Sequence, residues 1–302
     1  TNPNGTDDAV ATPEVDTAHS SVIRASNPLA WYRFNEAAGS KFLVDSADNA
    51  VPNDGTLFGD PIGGGTGFID GAGVYAGSST VLNREILNPG STDPEIPKGF
   101  SVEAVVKYSS ALTGEGTLIS QQDTESGLGR QIIAVRANGT LYSVLGGTTI
   151  DSTVKLVPDA WSHIVFVVDP DRNQFRWYLN GKLAQTITTT APLVLESTTG
   201  GWVIGSGKNL SSNLFKGQVD EIAVYRDLLD DPNRDSDLAD SKISSHYQAW
   251  YQLTKGIIFF RGSAPTVVTG TPLDFLTFVG ADVTSVSIDQ SVGNVPIDSD
   301  RN

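Results

Sequence analysis

A chain of 302 residues with no cysteine excludes disulfide staples, Cys-ligated zinc, iron–sulfur clusters and thiol nucleophiles, and it is long enough to bury a core unaided. Its 35 acidic residues against 20 basic ones give a net charge of −15, a field that repels phosphate backbones and anionic bilayers, so nucleic acid and membrane surfaces are excluded as partners. No run approaches the ~18 apolar residues of a membrane span, and the acidic balance suits oxygen-ligated Ca²⁺.

Residues 1–22 are rich in Thr, Asn, Asp, Pro and Ala without apolar periodicity and read as an extended arm. The start at Thr1-Asn2-Pro3, without an initiator methionine, suggests a mature piece of a longer precursor. From Ile23 short apolar runs alternate with Gly, Asn, Asp and Pro, the pattern of an all-β sandwich. The clearest runs are Leu29–Phe34, Phe100–Val106, Gln131–Val135 and His163–Val168. The glycines between Gly59 and Gly77 predict loops and tight turns. Asn180-Gly181, between two alternating runs, predicts a two-residue hairpin, because both central residues of a type I′ turn need positive φ. One short helix is expected near Ser236–Trp250, capped by Asp235 or Ser236, with Leu238, Ile243, Tyr247 and Trp250 on one face. Gly256 opens a new strand series.

Five ordered motifs carry a resemblance. Ala30-Trp31-Tyr32-Arg33-Phe34-Asn35-Glu36 is followed by Val44-Asp45-Ser46-Ala47-Asp48-Asn49 with Asn53-Asp54-Gly55-Thr56-Leu57. Then come Ala160–Val167, Trp177-Tyr178-Leu179-Asn180-Gly181 with Val203-Ile204-Gly205, and Phe215-Lys216-Gly217-Gln218-Val219-Asp220-Glu221-Ile222-Ala223-Val224-Tyr225. Together they resemble the laminin-G-like, concanavalin-A-like family. The resemblance implies a jelly roll of two curved antiparallel sheets over residues 23–253, a rim or structural calcium ion, and a carbohydrate or extracellular protein as partner. Residues 254–302 resemble the first half of a bacterial Ig-like sandwich, too short at under 50 residues for the ~100 such a domain needs.

Function has to be argued from sites, since this fold serves binders and hydrolases alike. The acidic loop offers Asp45, Asn49, Asp54 and Gly55 as calcium ligands, joined by Asp220 from a late strand; the plainer alternative is that Asp45 and Asn49 make turns and Asp220 faces solvent. Here Ala47-Asp48 replaces the small residue and glycine of many relatives. The run Asp227, Asp230, Asp231, Asp235, Asp237, Asp240 reads as a solvated face. Trp31, Trp161 and Trp177 fall at core positions; Trp202 and Tyr142, with Tyr75 and Arg130 as rim partners, remain for stacking on a sugar.

Against hydrolysis, the adjacent carboxylates Asp220 and Glu221 should point to opposite faces of a strand. His19, His163 and His246 fall in the arm, a strand and the helix, with no spacing that suggests a triad. The expected protein is a non-catalytic recognition or adhesion module, secreted or at a cell surface and part of a larger modular protein. The alternatives are a structural subunit of an extracellular assembly whose arm and tail pair with neighbours, and a polysaccharide hydrolase or its accessory domain.

Overall fold

In the computed structural model the described residues are 18–37, 40–49, 52–58, 65–67, 71–77, 80–83, 99–121, 130–145, 147–190, 201–207, 211–233 and 241–254. Residues 255–302, and with them all but the first position of the Ig-like reading, lie outside these, as do residues 1–17 of the arm. The chain divides into two compact units, 1–247 and 248–302; the fold below is that of the first.

The alternating runs become strands because β-branched and aromatic residues suit a pleated surface buried on one face or both. They are β1 (Ala30–Tyr32), β2 (Phe42–Leu43), β3 (Gly55–Phe58), β4 (Gly65–Thr66), β5 (Gly71–Ala76), β6 (Thr80–Asn83), β7 (Phe100–Tyr108), β8 (Glu115–Gln121), β9 (Arg130–Arg136), β10 (Thr140–Leu145), β11 (Thr148–Lys155), β12 (Ser162–Asp169), β13 (Gln174–Leu179), β14 (Lys182–Thr188), β15 (Trp202–Ile204) and β16 (Lys216–Tyr225). One sheet has the order β14-β13-β12-β7-β16-β5-β4, with β1 also on β16; the other is β11-β10-β9-β8-β15-β6-β3-β2. Every named pair is antiparallel, the sandwich the pattern predicts.

Between the sheets Val102, Ala104 and Val106 of β7 and Ile164, Phe166 and Val168 of β12 meet Ile132, Leu141 and Trp202. Phe166 lies 4.2 Å from the Trp177 ring, centroid to centroid. Full burial of such side chains contributes about 2–3 kcal/mol each. The first sheet is also buried on its outer face. There Trp31, Val165, Val167, Ala223, Tyr225, Leu228 and Leu229 form a second cluster with Ile23 and Ile243.

Two helices lie in the described residues, α1 (Ala18–Ala25) and α2 (Ile243–Thr254). Neither is long and apolar enough to cross a membrane. α1 is an addition: it starts inside the stretch read as an arm and places Ile23, just beyond that stretch, in the second cluster. The expected start near Ser236 lies outside the described residues; before α2, Lys242 is pinned by its amide to Leu229 O at 2.9 Å, and the Lys242 carbonyl then accepts the first helical bond from His246 N. Of the Gly59–Gly77 stretch, Gly71–Ala76 is a strand: its small residues let the backbone pair with Lys216–Val219 of β16.

The Asn180-Gly181 hairpin is formed as read, with φ of 50° and 75° at its two central residues. Asn180 Oδ1 accepts the His163 amide at 3.0 Å, tying the turn to β12. A Cβ on Gly181 would lie 2.7 Å from Tyr247. Gly181→Ala therefore combines a left-handed φ with a collision and is expected to destabilise by about 2 kcal/mol, read as a lowered chemical-denaturation midpoint.

Candidate functional site

All three histidines of the chain converge with two glutamates on the outer face of the first sheet. Glu103, on β7, accepts bonds from His163 Nε2 at 2.6 Å, His246 Nδ1 at 2.9 Å and the Tyr225 hydroxyl at 2.7 Å. Burial alone would raise this carboxyl, but the charge on His246 and the bonds from both histidines outweigh it and hold Glu103 well below the usual carboxylate range. Glu221 accepts the Trp31 indole N–H at 2.6 Å and Arg33 Nε at 3.1 Å. His19 Nδ1 is 3.9 Å from Glu221, beyond hydrogen-bond reach. Burial drives its imidazole down to about 3, with His163, His246 and Arg33 adding to the effect against the pull of Glu103. His19 is therefore neutral.

A bulge in β16 builds half of this cluster. Between Asp220, opposite Val105, and Ala223, opposite Glu103, the register slips by one residue. Glu221 takes φ of 50° while Val219 and Ile222 both remain in the inter-sheet core. The extra residue turns Glu221 to the same outer face as Asp220. This corrects the expectation that the two carboxylates face opposite ways. Asp220 and Glu221 are 0% and 2% exposed, so neither faces solvent.

One chain of bonds has the connectivity of a nucleophilic triad: Ser26 Oγ lies 2.9 Å from His246 Nε2, and His246 Nδ1 2.9 Å from Glu103. Its surroundings oppose nucleophilic catalysis. Ser26 is 6% exposed, and its hydroxyl donates to Val22 O at 3.2 Å. The amides of Ser26 and Asn27 are spent on Ile23 O and Arg24 O at 3.0 and 2.9 Å. An oxyanion formed there would face the negative end of α1 in place of free N–H donors. The arrangement fastens α1 to the sheet.

A second buried network joins β12 and β13 to the turn after β16. Arg176 grips Asp230 through Nε and Nη2 at 2.5 and 3.0 Å and reaches Asp169 at 2.9 Å. Tyr178 donates to Asp230 at 2.7 Å, and Arg172 bridges Asp169 and Asp231. Asp230 and Asp231, read as part of a solvated face, are both 0% exposed. Asp235, Asp237 and Asp240 lie outside the described residues.

The acidic loop is ordered by amides. Asp45 Oδ1 accepts the N–H groups of Trp31 and Ala47 at 2.8 and 2.9 Å, and Oδ2 that of Asn53 at 2.9 Å. Asp54 Oδ1 accepts the Asp45 amide at 2.8 Å, and the Asn49 side chain donates to Leu29 O at 2.8 Å. Gly55 begins β3, and Asp220 belongs to the cluster on β16. Asp45, with both oxygens already facing N–H donors, has little left to offer a cation. Among the described residues no group of three or more His, Asp or Glu is placed to hold a metal ion.

Three of the four stacking candidates are spent in the interior. Trp202 packs edge-on to Phe100 at 6.2 Å, Tyr75 lies between Phe34 and Phe215, and Arg130, 2% exposed, bonds Gln121 at 3.4 Å. Trp161, expected in the core, is half-buried with Lys107 over its ring at 5.1 Å.

Tyr142 is buried as well, at 2% exposure, but on the outer face of the second sheet. Leu141 and Val135 point into the core while their register neighbours Tyr142 and Ala134 take the opposite, outer face of the second sheet. Asp151 pairs with Tyr142 there, and Glu115 pairs with Arg136. The Arg136 guanidinium roofs the Tyr142 ring at 4.4 Å and bridges to Asp151 at 2.5 Å and Glu115 at 3.6 Å. The three charged side chains are 32%, 67% and 42% exposed in that order. Sequence reasoning reached Tyr142 but missed Arg136, Glu115 and Asp151. The signal was the alternation in β9–β11, which puts Arg136, Tyr142 and Asp151 on one face.

Residues 85–233 match the family model described as the Concanavalin A-like lectin/glucanases superfamily. Among solved structures, the chain is similar to domain 4 of AbnA, an extracellular arabinanase of Geobacillus stearothermophilus in complex with arabinotriose, at 23% identity and a TM-score of 0.51, over 74% of this chain and 98% of that one. It is also similar to the binding domain of botulinum neurotoxin DC in complex with rat synaptotagmin II, at 14% identity and a TM-score of 0.53, over 78% of this chain and 54% of that one. A botulinum neurotoxin type C structure, whose cell entry depends on two ganglioside molecules, gives 13%, 0.53, 76% and 52%. The chain thus spans about half of those toxin domains. No curated protein matches it.

Proposed function

Since residues 85–233 belong to the concanavalin A-like lectin/glucanases superfamily, we propose that this protein is a non-catalytic module that binds carbohydrate outside the cell, through the outer face of its second sheet. The observation that carries the reading is the set of exposed Glu115 and Asp151 with the partly exposed Arg136, laid over the buried Tyr142. Because the Tyr142 ring is itself buried beneath Arg136, contact with a sugar falls to the charged rim, where a guanidinium donates in a fixed fork and two carboxylates accept hydroxyl protons. Binding is favoured over hydrolysis by the use of the acid–base groups: Ser26, Glu103, His163, Glu221 and His246 are all buried and serve the seating of α1 and β1. The arabinotriose in domain 4 of the arabinanase supports an oligosaccharide as ligand.

A glycan array probed with the whole chain tests this reading, paired with incubation of any bound oligosaccharide at stoichiometric protein. Retention of an oligosaccharide with no new reducing ends is expected. Cleavage would replace the binding reading with a hydrolytic one.

A further inference from the structure

We propose that α1 is an acid-releasable latch: proton uptake by His19 frees the helix from the first sheet while the sandwich stays folded. The helix is seated mainly by polar groups. Among its described side chains, His19 to Ala25, only Ile23 enters the outer apolar cluster; the other buried positions there and just after the helix are His19, Ser20 and Ser26. Such a segment, with few apolar contacts, opens at lower free energy than the core strands.

His19 makes the seat sensitive to protons. It is 1% exposed and meets a charged or titratable group on every element beneath it: Arg33 beyond β1, Glu103 on β7, His163 on β12, Glu221 on β16 with Asp220 and Tyr225 on the same strand, and His246 on α2. Glu103 is occupied by its two histidines and Tyr225, and Glu221 by Trp31 and Arg33. A cation at His19 would therefore be buried beside Arg33 with no carboxylate oxygen in hydrogen-bond reach.

In the released helix the imidazole titrates at its ordinary 6.5, and in the docked one at about 3. The released state thus binds one more proton over that range, and the opening constant rises about tenfold for each pH unit of acidification below 6.5. At the other end of the helix, Ser26 holds His246 by a bond that does not itself require His19.

Native-state hydrogen exchange of the whole chain, corrected for intrinsic rates, tests the latch. Amides of α1 should be less protected than those of Ile164–Val168 in β12, and their protection should fall about thirtyfold between about pH 7 and about pH 5. His19→Gln should abolish that fall. If His19→Gln does not fold, Ser26→Ala keeps the test, with lower α1 protection and an unchanged pH slope. Equal protection of α1 and β12 at both pH values, or a slope that survives in His19→Gln, overturns the latch. So does a slope lost in Ser26→Ala.

Discussion

Replacing Arg176 by alanine is expected to lower the free energy of unfolding by about 3–5 kcal/mol, the range for removing one partner of a buried charge set. Asp169 and Asp230 are both 0% exposed, and without the guanidinium Asp230 keeps only the Tyr178 hydroxyl among its side-chain partners here. Burial alone would raise the Asp169 carboxyl, yet Arg172 and Arg176 hold it below the usual range, so Asp169 is charged in the fold and keeps only the partly exposed Arg172. Urea denaturation of Arg176→Ala checks the magnitude. A loss below about 1 kcal/mol would mean that the network behaves as a surface pair. Pairing Arg176→Met with Asp230→Leu should recover much of the loss, because an apolar replacement of a buried pair leaves less charge stranded.

Glu103→Gln is expected to cost about 3 kcal/mol at neutral pH. The amide loses the charge that draws His163 and His246 and sets an NH₂ against one of three donors. The pH dependence has a definite sign. A carboxyl whose folded-state pKa lies below its ordinary 4.5 contributes stability that is complete above 4.5 and is lost as the pH falls toward the folded value. The difference between wild type and Glu103→Gln should thus be constant from about pH 7 down to about pH 5 and narrow below 4.5. A difference that widens in acid would show that Glu103 is protonated in the native state.

Local signals made the sandwich legible. Asn180-Gly181 specifies its own turn, and strands such as β12, buried at all eight positions, read as continuous apolar runs. The motif order supplied the rest, and the family match over residues 85–233 bears out the laminin-G-like resemblance. What stayed hidden depends on register and on distant pairing. No local pattern shows that β16 bulges at Glu221, so that two adjacent carboxylates share a face. His19, His163 and His246 meet only because α1 and α2 lie on the same sheet. Asp230 and Asp231 look like solvated acids until β13 brings Arg176 beneath them and Arg172 closes the other side.

The candidate site divides the same way. Tyr142 was visible as an aromatic without a core motif, but its partners needed the pairing of β8, β9, β10 and β11. The acidic loop shows its carboxylates in the sequence but not the N–H groups that face them, and Asp45 is that case.

The most direct measurement is calorimetric titration of arabinotriose, and of any oligosaccharide retained on the array, into wild type, Arg136→Ala and Asp151→Asn. Asp151 is exposed and Arg136 partly so, so the thermal midpoint should hold in Asp151→Asn and fall only slightly in Arg136→Ala, which uncovers Tyr142. Binding should weaken at least about tenfold, or 1.4 kcal/mol, in Arg136→Ala and by less in Asp151→Asn. Oligosaccharide binding of equal strength in all three proteins would contradict the assignment of carbohydrate recognition to this face.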